Sequence, residues 1–172
     1  MPAWSPEIAN ELIRLAVADR QPLDQIQLQK LVYIAHGWCL AVHGQPLTGD
    51  RPEAWEFGPV YRRLANALAS YGRDPVTQEI RSHETRPDRS NSDPDGPVQS
   101  DLEDFERDLI AHVYQDYRGL QAPALSSLTR RTGAPWKEVF ADGAGKFREI
   151  PHNLIEAQFV GIAGQAQTPK RP

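Results

Sequence analysis

Leu28-Gln29-Lys30-Leu31-Val32-Tyr33-Ile34-Ala35-His36-Gly37-Trp38-Cys39-Leu40-Ala41-Val42-His43-Gly44 is the stretch that decides the fold. At roughly 100° per residue, Leu28, Leu31, Val32, Ala35, Trp38, Cys39 and Val42 share one broad face, which Ile34 and Ala41 widen. Only Gln29, Lys30, Gly37 and the Tyr33 hydroxyl remain for the opposite strip. A helix that is apolar most of the way round must be enclosed by other elements. Residues 25–43 are therefore predicted to form a buried central helix. Asp24, followed three residues later by Gln27, reads as the capping box that starts it.

Downstream, Gln45–Phe57 is too rich in Pro and Gly for helix, and the alternation Ala54-Trp55-Glu56-Phe57 predicts a short extended excursion or hairpin. Gly58-Pro59 reads as a helix restart, with Gly58 as cap and Pro59 at the first helical position, and Gly72 as its stop. Val76–Ile80 alternates and is predicted to pair with the Trp55 strand; two strands alone are marginal and must rest on helices. Upstream, Ser5-Pro6 opens a first helix as cap and first residue, with Ile8, Leu12, Leu15 and Ala16 inward. Beyond residue 80, Pro87, Pro94, Gly96 and Pro97 interrupt a polar stretch, so 82–99 is predicted as a flexible internal loop. Ser100 with Glu103 reads as a second capping box ahead of a helix that buries Leu102, Phe105, Leu109, Ile110 and Val113. Shorter helices are predicted at Pro123–Arg131, Pro135–Phe140 and His152–Gly161, and 165–172 as a disordered tail. The fold class is mainly α: one multi-helix domain over 1–164 around the central helix, with a small two-stranded element near 53–57 and 76–80.

At 172 residues and 40% hydrophobic, the chain is large enough to bury a core without staples. Its one cysteine, Cys39, rules out an internal disulfide framework and any C-x-x-C site. There is no run of about 18 apolar residues and no leader-like start, so a cytoplasmic protein away from membranes is expected. A net charge of −4 gives no general attraction to nucleic acid. The sequence contains no Gly-rich phosphate loop, no G-x-S-x-G and no H-E-x-x-H, and no nucleophile has a recognisable base. His36, Cys39 and His43, at i, i+3 and i+7, share a helical side but lack a fourth ligand, and Cys39 points into the apolar face; packing outweighs zinc there.

Several segments in a consistent order over residues 5–160 carry a resemblance. They are Leu28-Gln29-Lys30-Leu31, Ala35-His36-Gly37-Trp38, His43-Gly44-Gln45-Pro46-Leu47, Glu53-Ala54-Trp55-Glu56-Phe57-Gly58-Pro59-Val60 and Tyr71-Gly72. Tyr117, Leu125-Ser126-Ser127-Leu128-Thr129, Ala134-Pro135-Trp136 and an Ile-x3-Phe step ending at Phe159 continue the pattern. Together they resemble the Panacea domain, a family that includes the SocA-like antitoxins of bacterial and phage toxin–antitoxin pairs. One departure is Arg130-Arg131, where the family often has a His.

The resemblance implies a non-enzymatic antitoxin that neutralises a cognate protein toxin, encoded beside it, by direct contact. In one branch of the family it implies an adaptor that delivers the toxin to an ATP-dependent protease. No cofactor or metal is implied. A nucleic-acid-binding regulator would need a basic recognition helix, and Ala122–Arg131 offers only two adjacent Arg; a metal hydrolase would need His36, Cys39 and His43 to meet an acid. Leu28, Leu31, Trp38, Gly58, Pro59, Gly72, Pro135 and Trp136 are expected to hold the framework. Candidates for partner contact are Lys30, Glu53, Trp55, Arg62, Arg63, Arg130 and Arg131. For Lys30 an internal ion pair with Glu53 or Glu56 competes, for Trp55 packing on the central helix, and for the paired arginines simple solvation.

Overall fold

Residues 25–43 form the helix around which the others are laid, and its start is set locally. The Asp24 carboxylate accepts the Gln27 backbone N–H (2.8 Å) and the Gln27 amide oxygen accepts that of Asp24 (3.0 Å), the reciprocal capping box. The computed structural model describes residues 2–84, 95–98 and 100–166. In chain order these form α1 (Ser5–Ala18), α2 (Gln25–His43), β1 (Glu53–Trp55), β2 (Gly58–Val60), α3 (Arg62–Leu68), α4 (Asp104–Tyr117), α5 (Ala122–Thr129), α6 (Pro135–Phe140) and α7 (His152–Ala166).

The fold is mainly helical with one two-stranded antiparallel sheet. Leu28, Leu31, Val32, Ala35 and Cys39 are buried as the periodicity requires, and so are Gln29, Lys30, Tyr33, His36 and Gly37. The helix therefore has no wet strip along its middle, because α1, α4, α5, α7 and the hairpin surround it. Its ends emerge: Val42, counted on the apolar face, is 62% exposed, and Trp38 is only partly buried, edge-on to Phe159 with ring centroids 5.3 Å apart. At Gly37 α7 packs directly on the helix backbone, since a Cβ there would stand 2.2 Å from Phe159 Cε2.

Gly58-Pro59 does not restart a helix. Gly58 takes φ +120°, which favours glycine, and closes the turn after Glu56-Phe57, so that Gly58–Val60 runs back along β1 in the register Glu53↔Val60, Ala54↔Pro59, Trp55↔Gly58. Helix α3 begins only at Arg62, with Tyr61 as its N-cap. Val76–Ile80 does not pair with the Trp55 strand either. The Val76 N–H bonds the Leu23 carbonyl, and Asn10 on α1 clasps the Ile80 backbone through both its amide nitrogen (3.0 Å) and its amide oxygen (2.7 Å). The free edge of β1 is taken instead by residues 147–150: the Phe147 N–H bonds Ala54 O (2.7 Å), the Ala54 N–H bonds Arg148 O (2.8 Å) and the Ile150 N–H bonds Pro52 O (2.8 Å).

Helix starts also shift from expectation. Trp4, not Ser5, is the N-cap of α1, and the Ser5 N–H and hydroxyl both bind the Asp50 carboxylate. Glu103, not Ser100, caps α4, its N–H bonding the Glu106 carboxylate at 2.8 Å. Helix α5 ends at Thr129, and α7 continues through Gln165 and Ala166, into what was expected to be tail; residues 167–172 lie outside the described residues. The two ends of the expected 82–99 loop are tied together by the Arg81↔Pro97 bridge and the Ser82 N–H to Gly96 O bond (3.0 Å); residues 85–94 and 99 lie outside the described residues.

Candidate partner-binding surface

The Leu28-Gln29-Lys30-Leu31 step and the Gly58-Pro59-Val60-Tyr61 step, 30 residues apart in sequence, hold each other. The Gln29 amide makes two bonds to the Tyr61 backbone, its nitrogen donating to Tyr61 O (3.0 Å) and its oxygen accepting from Tyr61 N–H (2.8 Å). The Lys30 ammonium donates to Pro59 O at 2.9 Å. A backbone leaving a hairpin for a helix exposes polar groups that burial would otherwise leave unpaired, and two side chains on α2 satisfy them. The fit is close: a Cβ on Gly58 would lie 3.0 Å from both Lys30 Nζ and Thr129 Oγ1.

Lys30 is thus inside, at 2% exposure, and forms no ion pair with Glu53 or Glu56. Burial, with a smaller push from the Arg130 charge, lowers its pKa to about 7. Glu53 is engaged elsewhere, accepting two bonds from Arg62 (3.0 and 2.7 Å) and one from Trp55 Nε1 (2.8 Å), while Glu56 faces Lys146 at 3.7 Å.

The second half of the chain closes on the same hairpin. Trp136 is buried, stacks on Phe140 (4.7 Å between centroids) and donates from Nε1 to Trp55 O at 2.6 Å. Thr129 bonds Ser126 O (2.9 Å), as Arg130 Nε does at 3.3 Å, and the Arg130 guanidinium lies 6.0 Å from the Trp136 ring. Arg131 is exposed.

His36, Cys39 and His43 do not converge, and no three His, Cys, Asp or Glu side chains cluster as a metal cage among the described residues. His36 is fully buried, and its Nδ1 accepts the Thr48 backbone N–H at 3.2 Å, which places the ring proton on Nε2. A metal at Nε2 would have to displace that proton and the Thr48 bond with it. Burial, reinforced by the His152 ring 4.7 Å away, holds the His36 pKa down at about 3. Cys39 is a buried free thiol, raised to about 11 by burial and then by Glu106, and His43 is exposed against Phe105.

The outer face of the hairpin is a different surface. Trp55, on the side of the strand opposite the buried Ala54, meets Phe147 edge to face (5.4 Å, 86°), and the Arg62 guanidinium lies 5.3 Å from the Trp55 ring and 5.9 Å from Phe147. Lys146 flanks Phe147 at 5.3 Å. Phe147 is 49% exposed at φ +70°, and Phe57, on the turn, is 68% exposed. An aromatic residue held at positive φ and half in solvent is kept there by its surroundings. The sequence reading missed Phe147, which sits in a segment with no periodicity of its own.

The model of the family described as "Antitoxin SocA-like, Panacea domain" matches residues 28–137. The chain belongs to that family. Antitoxin SocA of Caulobacter vibrioides (strain NA1000 / CB15N) is 31% identical over 140 residues, which cover 80% of this chain and 70% of that protein. No solved structure gives a significant match. The matched span opens on Leu28 and ends at Lys137, so it contains the Gln29 and Lys30 grip, the whole hairpin and Trp136. Phe147 and α7 lie beyond it. No described helix is long and apolar enough to cross a membrane.

Proposed function

We propose that this chain is an antitoxin acting in the cytoplasm, which binds a protein toxin encoded beside it and neutralises it by that contact, without catalysis. The observation that carries the reading is the family match over residues 28–137, which spans the grip between α2 and the hairpin and the outward aromatic and arginine side chains the hairpin displays. Interfaces draw most of their energy from a few Trp, Tyr and Arg anchors, and Trp55 and Arg62 supply that chemistry. Residues beyond the matched span, Phe147 among them, are suited to choosing between toxins, because specificity rests on side chains that differ between relatives of one framework.

The test is expression of the neighbouring open reading frame with and without this chain. Growth arrest by the neighbour alone, relieved by co-expression and accompanied by co-purification, supports the reading. Unchanged growth in both cases, or arrest that this chain does not relieve, refutes it. Toxin levels measured during rescue separate occlusion, in which they hold, from delivery to an ATP-dependent protease, in which they fall.

A further inference from the structure

We infer that the toxin docks across the outer face of the hairpin by placing an acidic side chain in an arginine-lined cleft and an apolar one on the Trp55–Phe147 ledge. This rests on the antitoxin reading and names the surface and the chemistry of the partner. Although the chain carries a net charge of −4, Arg51, Arg62 and Arg63 converge on one open cleft of about 540 Å³, which Trp4, Asp50, Glu53 and Glu149 also line. The acids near it are committed to the fold or weakly held. Glu53 is bound by Arg62 and Trp55, Asp50 by Ser5, and Glu149 meets Arg51 only at 3.4 Å between side chains more than half exposed.

Arg63 is the available group. Its guanidinium lies 3.8 Å from the centroid of the Trp4 ring; the one carboxylate among the described residues that feels its charge is Asp50, already bound twice by Ser5, and the two form no direct ion pair. A guanidinium stacked by its face leaves its N–H edges free for a planar acceptor, the geometry in which arginine binds carboxylates through two bonds. Arg62 is held by a two-bond ion pair to Glu53 and Arg63 by stacking on Trp4, so little side-chain freedom is lost when a ligand arrives.

The cleft and the ledge are one surface, since Arg62 borders the first and covers the second. Trp55, Phe147 and the exposed Phe57 give the apolar part. A polyphosphate backbone fits less well than a protein, because Asp50, Glu53 and Glu149 balance the three arginines across the cleft as a whole, which leaves a local site for a single carboxylate at Arg63 but no net positive field for a continuous run of phosphates.

The experiment uses the full chain and the purified product of the neighbouring open reading frame, with binding measured by calorimetry and rescue measured by growth. Two variants are compared with the unmodified chain: Arg63→Glu, which reverses the available cation, and Phe147→Gly, which removes the ring while relieving its positive φ. Each should keep its thermal midpoint and lose on the order of tenfold or more in affinity. Binding weakened by Arg63→Glu should be restored by an acid-to-Arg replacement on the partner. If both variants fold and bind as the unmodified chain does, the docking surface lies elsewhere and the antitoxin reading stands. If the unmodified chain neither binds nor rescues, the antitoxin reading fails and this inference fails with it. Duplex DNA binding that Arg63→Glu abolishes would overturn the inference in favour of a nucleic-acid ligand.

Discussion

Replacing Gly37 with Ala tests whether α7 is seated on α2 as described. The added Cβ would meet three carbons of the Phe159 ring at 2.2, 2.3 and 2.6 Å. Restoring an ordinary carbon contact of ~3.5 Å requires the ring to move by more than ~1 Å. It has no room to do so, since it is buried edge-on between Tyr33 (6.2 Å) and Trp38 (5.3 Å). Overpacking of this kind costs about 1–3 kcal/mol, and expelling the ring altogether about 3–5 kcal/mol. Against this, Ala is better than Gly inside a helix by about 1 kcal/mol. The net expectation is a loss of about 2 kcal/mol, read in urea melts followed by far-UV circular dichroism. With a slope near ~2 kcal/mol/M the midpoint falls by about 1 M. The decisive measurement is the same substitution in a Phe159→Ala background. With the ring gone only helix propensity remains, and Gly37→Ala should become neutral or stabilising there. A native-background variant as stable as the parent, or an equal loss in both backgrounds, would refute the contact.

Three further outcomes follow from the buried groups around the hairpin. Lys30 has a folded pKa near 7 against 10.5 when free. The unfolded chain therefore holds the extra proton between those values, and stability rises with pH from about 7 to 10.5, by at most ~1.4 kcal/mol per pH unit from this group; Lys30→Met should flatten that rise in urea melts taken across the range. His36, held near 3 against 6.5, gives the same sign at lower pH: stability falls as pH drops below 6.5, and His36→Asn, which keeps an acceptor for the Thr48 N–H, should reduce the acid loss measured by thermal melts. Gly58→Ala combines a positive φ with a Cβ 3.0 Å from Lys30 Nζ and Thr129 Oγ1, and should cost about 1–3 kcal/mol; parent-like stability would mean the grip is looser than described.

What could be read from the sequence was what is decided within one turn of helix or strand. The Asp24–Gln27 box, the burial of Leu28, Leu31, Val32, Ala35 and Cys39 and the prolines that open α5 and α6 are local signals, and each appears in the fold. Gly58-Pro59 was misread because the same dipeptide suits a helix start and a hairpin return. Bonds from Gln29 and Lys30, which no window around residue 58 contains, select the return. Lys30 itself was placed on a polar strip, since hydrophobic periodicity treats a lysine as solvated and cannot register a carbonyl waiting for it in the core. Val76–Ile80 had the alternation of a strand, but Asn10 had already bound its end. Phe147 carried no signal in its own neighbourhood, because its place is set by pairing with Ala54, 93 residues earlier.

That division separates two kinds of loss of function. Gln29, Lys30, Gly58 and Thr129 spend their polar groups on one another or on the backbone, so a change there reaches a partner only by loosening the hairpin. Trp55, Arg62, Arg63 and Phe147 are joined to one another and to Trp4 and Glu53 by ring and ion contacts at the surface, where single substitutions cost little stability. Across a set of variants, neutralisation plotted against thermal midpoint should therefore split into two lines. Inner variants should lose rescue only in step with stability, and a compensating stabilising change elsewhere should restore it. Outer variants should lose rescue at constant stability, and no stabilising change should bring it back. An inner variant that keeps its midpoint and its helicity yet fails to rescue would show that the grip itself meets the toxin, and the two-layer account would have to be abandoned.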